Sequence, residues 1–500
     1  MRISWKWCIL AYICPFFRRF FMSDMQSMDR ENKKRQLRQN IVQMPDNESD
    51  EPMDDDRLAK YRRKKRIIAV AAVCFLAALG FTGYRYMNEY EYTGYSVQWE
   101  RSMRYTDDAG KNAQAAETSA ASDNSETDGT DETTAGDASD GSADSGDTAE
   151  TESSAETSAP VEASKTVSDS SFVKFAMFGD NMIKYTKDGA SYIDASGKTI
   201  WTQSYEMKTP IINVNGDFAV IADQQGNEMY ICSKEGCTGT AKTQLPITKA
   251  AVSARGVAAA VVEDSTASYI FYFKKDGESL GINIKMLLSG DGYPVDIALS
   301  PDGKQIVMSI MYMKNGALKN KVAFYDFSEI GKNVNNRFIA AFEEEFDDKM
   351  VGRVRYLNDQ TVCAFSDKGL TFISVKNVIP DTNVIYVPVE EEIQSICYSD
   401  KYAAVIVDST SGSPYRLDVY NTDGKQVTSI DFDYAYTGVL IDGDRLILYN
   451  EESCREYNLD GHEKFNGQFD FSVSLVRAGK NRTNSLITAG SEVMKEIKLR

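Results

Sequence analysis

The chemistry open to this 500-residue chain is narrowed first by its histidine content. There is one, His462, next to Asp460 and Gly461. A Ser-His-Asp or Cys-His hydrolytic site would have to be built on it, and a solvated turn is the plainer setting. The eight cysteines are Cys8, Cys14, Cys74, Cys232, Cys237, Cys363, Cys397 and Cys454, with no Cys-x-x-Cys pair among them. Zinc and iron sites need clustered His and Cys. No Gly-x-Gly-x-x-Gly or phosphate loop follows a strand-like run. The turn Ser289-Gly290-Asp291-Gly292 lacks the spaced carboxylates of a calcium loop. No catalytic residue, metal ligand or cofactor site is assigned, and the chain reads as a non-enzyme.

What remains is recognition chemistry. Acidic and aromatic residues recur between strand-like units: Asp291 and Tyr293; Phe346, Asp347 and Asp348; Glu390, Glu391 and Glu392; Asp433, Tyr434 and Tyr436; Asp470 and Phe471. Gathered around one opening, carboxylates with exposed rings suit a cationic or protein ligand. In the alternative reading the carboxylates serve solubility and the rings plug the packing.

Those segments need a scaffold that brings them to one face. From residue 172 onward, short runs rich in Val, Ile, Tyr and Phe alternate with Gly, Asp and Asn turns. One turn family recurs eight times: Gly179-Asp180, Gly216-Asp217, Arg255-Gly256, Pro301-Asp302-Gly303, Asn358-Asp359, Ser399-Asp400, Asp442-Gly443 and Ala478-Gly479. A spacing of 40–50 residues with four strands per unit predicts an all-β propeller. Eight blades fit the count, with seven as the alternative. The widest spacing holds an extra polar segment, residues 315–320, and a stretch around 331–336. A second family, including Ser196-Gly197, Asp276-Gly277 and Asp423-Gly424, uses Gly where positive φ is required.

Ahead of the propeller lies an uncharged run, residues 67–84, IIAVAAVCFLAALGFTGY. With its flanks it is long enough for a ~30 Å hydrocarbon core. It has no polar stripe, unlike a soluble core helix. Bulky tyrosines follow it, not the small residues of a signal-peptide cleavage site. A transmembrane helix over residues 67–85 is predicted. The basic run 61–66 before it places the N-terminus in the cytoplasm and the C-terminal domain outside, in a single-pass cell-membrane protein.

Charge divides the rest. Residues 1–66 carry 16 basic and 10 acidic groups and read as a mostly disordered cytoplasmic tail. Its residues 1–21 read as untranslated, with initiation at Met22 or Met25, or as an interfacial anchor. Residues 107–170 carry 17 acidic groups against Lys111 and Lys165 and have no aromatic residue, so a disordered linker is expected. Residues 171–500 form the mildly acidic propeller, which argues against nucleic acid. Cys363 and Cys397 read as buried apolar residues. Cys232 and Cys237 flank a turn, where a disulfide and two free thiols both remain open. The unit after residue 472 has only three strands. In the membrane-proximal segment 86–106, residues 95–104 alternate and form a spare strand. Placed outermost in the last blade, that strand closes the ring and removes an exposed edge. A membrane-proximal stalk is the competing use.

The unit 295–308, VDIALSPDGKQIVM, resembles the SPDG repeat of WD-like and Tol-type propellers, without the WD dipeptide. With residues 183–201, 293–303, 358–365 and 414–424, the layout resembles domain-of-unknown-function family 5711. That resemblance implies single-pass membrane proteins of Gram-positive bacteria with an outer propeller-like domain. The expected function is a non-catalytic binding or scaffold module for a protein or cell-envelope polymer. The alternatives are a receptor signalling to a cytoplasmic partner and a propeller hydrolase or lyase.

Overall fold

The computed structural model describes residues 55–103 and 172–500, except 377, 378 and 382. The expectations for residues 1–54 and for the linker 107–170 lie outside the described residues. The chain divides into two compact units, Met1–Gly83 and Tyr84–Arg500.

In the first unit the described chain is helical. Its helix runs over Asp55–Glu89, continuing into the second unit. It begins twelve residues before the apolar run, where a disordered tail was expected. Leu58, Ala59 and the Lys and Arg residues up to Arg66 are good helix formers, so nothing stops the helix at the charge boundary. The segment Ile67–Tyr86 is long and apolar enough to cross a membrane, and none of it is buried.

The second unit is an eight-bladed β-propeller of antiparallel sheets. Blade 1 comprises Lys174–Phe178, Asn181–Tyr185, Gly189–Ile193 and Thr199–Ser204, in spatial order. Blades 2 to 7 span residues 210–242, 247–287, 293–342, 351–388, 393–432 and 438–468. In blade 5 the outer strand is broken into Ile379–Pro380 and Ile385–Pro388, both paired to the third strand. Blade 8 takes Leu475–Ala478, Ser485–Ala489 and Val493–Leu499 from the C-terminus, and its outermost strand is Tyr95–Ser102. That strand pairs antiparallel with Val493–Leu499, from Tyr95↔Leu499 to Ser102↔Val493, with a bulge between Val97 and Trp99. All eight turns of the first family join first to second strands, which is why they keep one period.

The core follows from this layout. Eight apolar clusters each span two neighbouring blades, so no blade has a core of its own. The cluster between blades 8 and 1 joins Met182 and Ile193 to Leu475, Ile487 and Met494, with Met103 and Trp99 from the closing strand. Gly197 lies under that strand at φ 78; a Cβ there would stand 2.9 Å from the Trp99 ring. Polar pins reinforce the junctions. Asn213 accepts the Val252 N–H at 3.0 Å, Asp296 the Val354 N–H at 2.9 Å, and Asp442 the Ala478 N–H at 3.0 Å. Arg477 closes the circle by donating to the carbonyls of Gly179 and Asn181 in blade 1.

Candidate ligand face

Every first strand runs in the same direction. The seven blade-to-blade connections and the second-to-third turns therefore share one face, and the other turns share the opposite face. The eleven candidate residues Asp291, Tyr293, Asp347, Asp348, Glu390, Glu391, Asp433, Tyr434, Tyr436, Asp470 and Phe471 all lie in or beside these connections. They are distributed over five blade junctions, and the cavities on this face gather only some of them.

Most of these carboxylates already have partners. Asp291 accepts the backbone N–H of Leu287 at 2.9 Å. Asp347 pairs with Lys319 at 2.8 Å. Asp348 is bridged by Lys368 at 2.9 Å and Lys349 at 3.4 Å. The hydrogen bond from Lys368, then Lys349, holds the Asp348 carboxyl down at about 2. Glu391 takes the Arg416 guanidinium at 2.7 Å, and that bond lowers its pKa. Asp470 accepts the Tyr95 hydroxyl at 3.2 Å. Glu390 and Asp433 stand exposed.

The rings turn inward. Tyr434 donates to the Ser453 carbonyl at 2.8 Å and Tyr436 to the Ser395 hydroxyl at 2.9 Å; both pack on the blade 6–7 cluster. Burial raises both phenols. Tyr293 is half-buried, with its phenol raised by burial and then by Glu263. Phe471 stacks on Phe469 and receives Lys495 4.0 Å from its centroid. A cavity of about 490 Å3 between blades 6 and 7 is lined by Tyr436, Ser395 and Gln394 among others. A second, of about 650 Å3, gathers Asp347 with Glu343, Glu344, Glu345, Lys314 and Ala341. Among the described residues no group of three or more His, Cys, Asp or Glu side chains is placed to hold a metal ion. His462 is exposed in the third-to-fourth turn of blade 7, its backbone N–H held by Asn458.

The model of the family of unknown function DUF5711 matches residues 152–499. The chain belongs to that family. Solved structures similar to this DUF5711 chain include Sqt1 from Chaetomium thermophilum, 11% identical, covering 65% of this chain and 95% of that one, TM-score 0.44. Hsv2 from Kluyveromyces lactis is 13% identical and covers 59% and 98%, TM-score 0.40. No curated protein matches the sequence.

Sequence reading missed two features of the DUF5711 propeller. Residues 315–320 read as an extra polar segment, whereas the structure makes them the tip of a long hairpin in blade 4. The Asn315-Gly316 pair between alternating residues was the available signal. The cations that quench the acidic connections, Lys319, Lys368 and Arg416, lie on strands or turns of the same or adjacent blades, and no sequence spacing pairs them with their carboxylates.

Proposed function

We propose that this protein is a membrane-anchored, extracytoplasmic β-propeller that acts as a non-catalytic binding or scaffold module for a protein or cell-envelope polymer. The observation that carries the reading is the closing strand. The apolar segment ends at Tyr86, and the ladder of blade 8 begins at Tyr95. The stretch between them is itself fastened: Tyr92 donates its N–H to Lys464 O at 2.8 Å, and Lys464 Nζ donates to Tyr90 O at 2.6 Å. A closed ring joined so directly to a spanning segment suits presentation of a surface at the membrane.

Two further observations support the location. The basic residues Arg62, Arg63, Lys64, Lys65 and Arg66 favour the cytoplasmic side for the N-terminus. Cys232 and Cys237 form a disulfide across the third-to-fourth hairpin of blade 2, a bond that persists in oxidising compartments. The setting of His462, exposed in a turn, gives a nucleophile no positioned base.

Three measurements test the proposal. A reporter fused after Arg500 that functions only outside the cytoplasm is active, and one that needs the cytoplasm is silent; the reverse pattern rejects the topology. Crosslinking in the native membrane captures a protein or envelope polymer on the propeller. Turnover of a small substrate by the purified chain would reject the non-catalytic reading.

A further inference from the structure

Blade 4 carries a feature that ring construction does not require. Its second and third strands, Gln305–Lys314 and Ala317–Asp326, have ten residues each, whereas their counterparts in the other blades have five to eight. Pairing continues without a register shift from Gln305↔Asp326 to Lys314↔Ala317. Asn315 and Gly316 close the hairpin at φ 53 and 78, the conformation of a tight two-residue turn. At about 3.4 Å per residue, the last three or four pairs form a prong roughly 10–14 Å tall. On it Met313 and Leu318 face each other as direct cross-strand partners, 64% and 51% exposed. Apolar side chains stabilise a fold by leaving water, and these two do not.

The prong is held at its foot. Lys319 binds Asp347 at 2.8 Å, and the Tyr312 hydroxyl donates to Glu343 at 3.3 Å. Lys321 lies 4.7 Å from the Tyr312 ring centroid and 3.7 Å from Glu343. Next to it is the cavity of about 650 Å3. The 3-10 turn Glu344–Phe346 forms part of its wall, anchored by the buried Phe346. Lys319 is occupied by Asp347, and Lys321 and Lys314, which also lines the cavity, both lie 3.7 Å from Glu343, three cations against the four carboxylates Glu343, Glu344, Glu345 and Asp347. Among the described residues Glu344 and Glu345 form no side-chain ion pair, so the charge left over in the cavity is negative.

We propose that the blade 4 prong and this cavity form a docking surface for a short protein segment with a Lys or Arg beside a large apolar side chain. Met313 and Leu318 take the apolar group, and Glu344 and Glu345 take the cation. The surface is small. A stable dimer of two globular copies buries about 800 Å2 on each partner, more than a six-residue tip and one cavity offer, whereas a short segment fits. The inference rests on the reading of the propeller as a binding module and names the partner's chemistry.

The test pans the full-length protein in detergent against a displayed library of short random peptides and measures the selected peptides by fluorescence anisotropy. Enriched peptides carry Lys or Arg next to Leu, Ile, Met or Phe. Their affinity falls about tenfold or more in Met313→Ser/Leu318→Ser and in Glu344→Gln/Glu345→Gln. It is unchanged in Asp359→Asn/Asp400→Asn, two exposed positions in turns of the opposite face. All these side chains are exposed or half-buried, and an unaltered Tm checks that each variant folds. Peptides sensitive only to Glu390→Gln/Asp433→Gln, on another part of the prong's own face, would overturn the prong as the site and leave the binding module standing. A wild-type dimer that Met313→Ser/Leu318→Ser dissociates would overturn the proposal in favour of a second copy. No enrichment would overturn it too, and membrane crosslinking then decides the broader reading separately.

Discussion

Trp99 donates its indole N–H to Glu496 Oε2 at 2.7 Å, joining residues 397 positions apart. The bond lies across the pairing of Tyr95–Ser102 with the C-terminal strand, and Ser485 holds the other oxygen of Glu496 at 3.1 Å. Trp99→Phe keeps a ring over Gly197 but removes the donor. It is expected to cost about 1–2 kcal/mol, read as a lower midpoint in urea. Deleting residues 95–102 exposes the edge of blade 8 and is expected to lower Tm far more. An unchanged Tm after deletion would mean that the ring is stable without its outer strand.

Glu456 is fully buried beside Arg445, and burial pushes its carboxyl up to about 7 against the opposing pull of Arg445 and Lys464. A folded pKa above the ordinary 4.5 means that the folded state holds the proton more tightly. The resulting stability is fully present below pH 4.5 and is lost as pH rises through about 7. Asp264 and Asp348 are held down at about 2, so their contribution is lost only as pH falls through the acid range. Thermal melting between pH 5 and 8 should therefore show Tm falling with pH by the equivalent of about 1–3 kcal/mol. Glu456→Gln should flatten that slope; an equal slope in the variant would assign it to another group.

Cys232 and Cys237 close a short loop within one hairpin. A loop of that size contributes about 2 kcal/mol at most through the unfolded chain, so the double Cys→Ser variant should fold. Cys363, Cys397 and Cys454 are buried thiols. Alkylation of unfolded protein without reductant, mapped over the five cysteines of the propeller, should label those three and spare Cys232 and Cys237. Labelling of all five without reductant would rule out the disulfide.

Asp296 accepts both the Val354 N–H and the Arg355 guanidinium, each at 2.9 Å, linking blades 4 and 5. Asp296→Ala leaves Arg355, largely buried, without its carboxylate. Arg355 still donates to Tyr398 and to the carbonyls of Ile297 and Val354. A loss of about 3 kcal/mol is expected by chemical denaturation. Asp296→Asn keeps an acceptor for Val354 and should lose less. Equal losses would show that the charge contributes nothing there.

Blade number and strand order were legible in the sequence because they rest on local chemistry. Each blade repeats a Gly- or Asp-marked turn at the same place, and turn geometry needs only a few adjacent residues. The long apolar helix was legible for the same reason, since length and lack of charge are properties of one continuous run. The spare strand came from counting: three strands after residue 472 leave one edge open, and one alternating run stood outside the repeats. Only the tertiary structure decided what the connections present. Asp348 and Glu391 read as free carboxylates until Lys368 and Arg416 are brought against them. Tyr434 and Tyr436 read either as exposed rings or as plugs in the packing, and the blade 6–7 cluster takes them in. The blade 4 prong was hidden inside a segment that looked merely polar. Repeats are written in backbone preferences a few residues long. Ion pairing and exposure depend on which side chains the ring brings together from distant positions, and no local pattern in the chain carries that information.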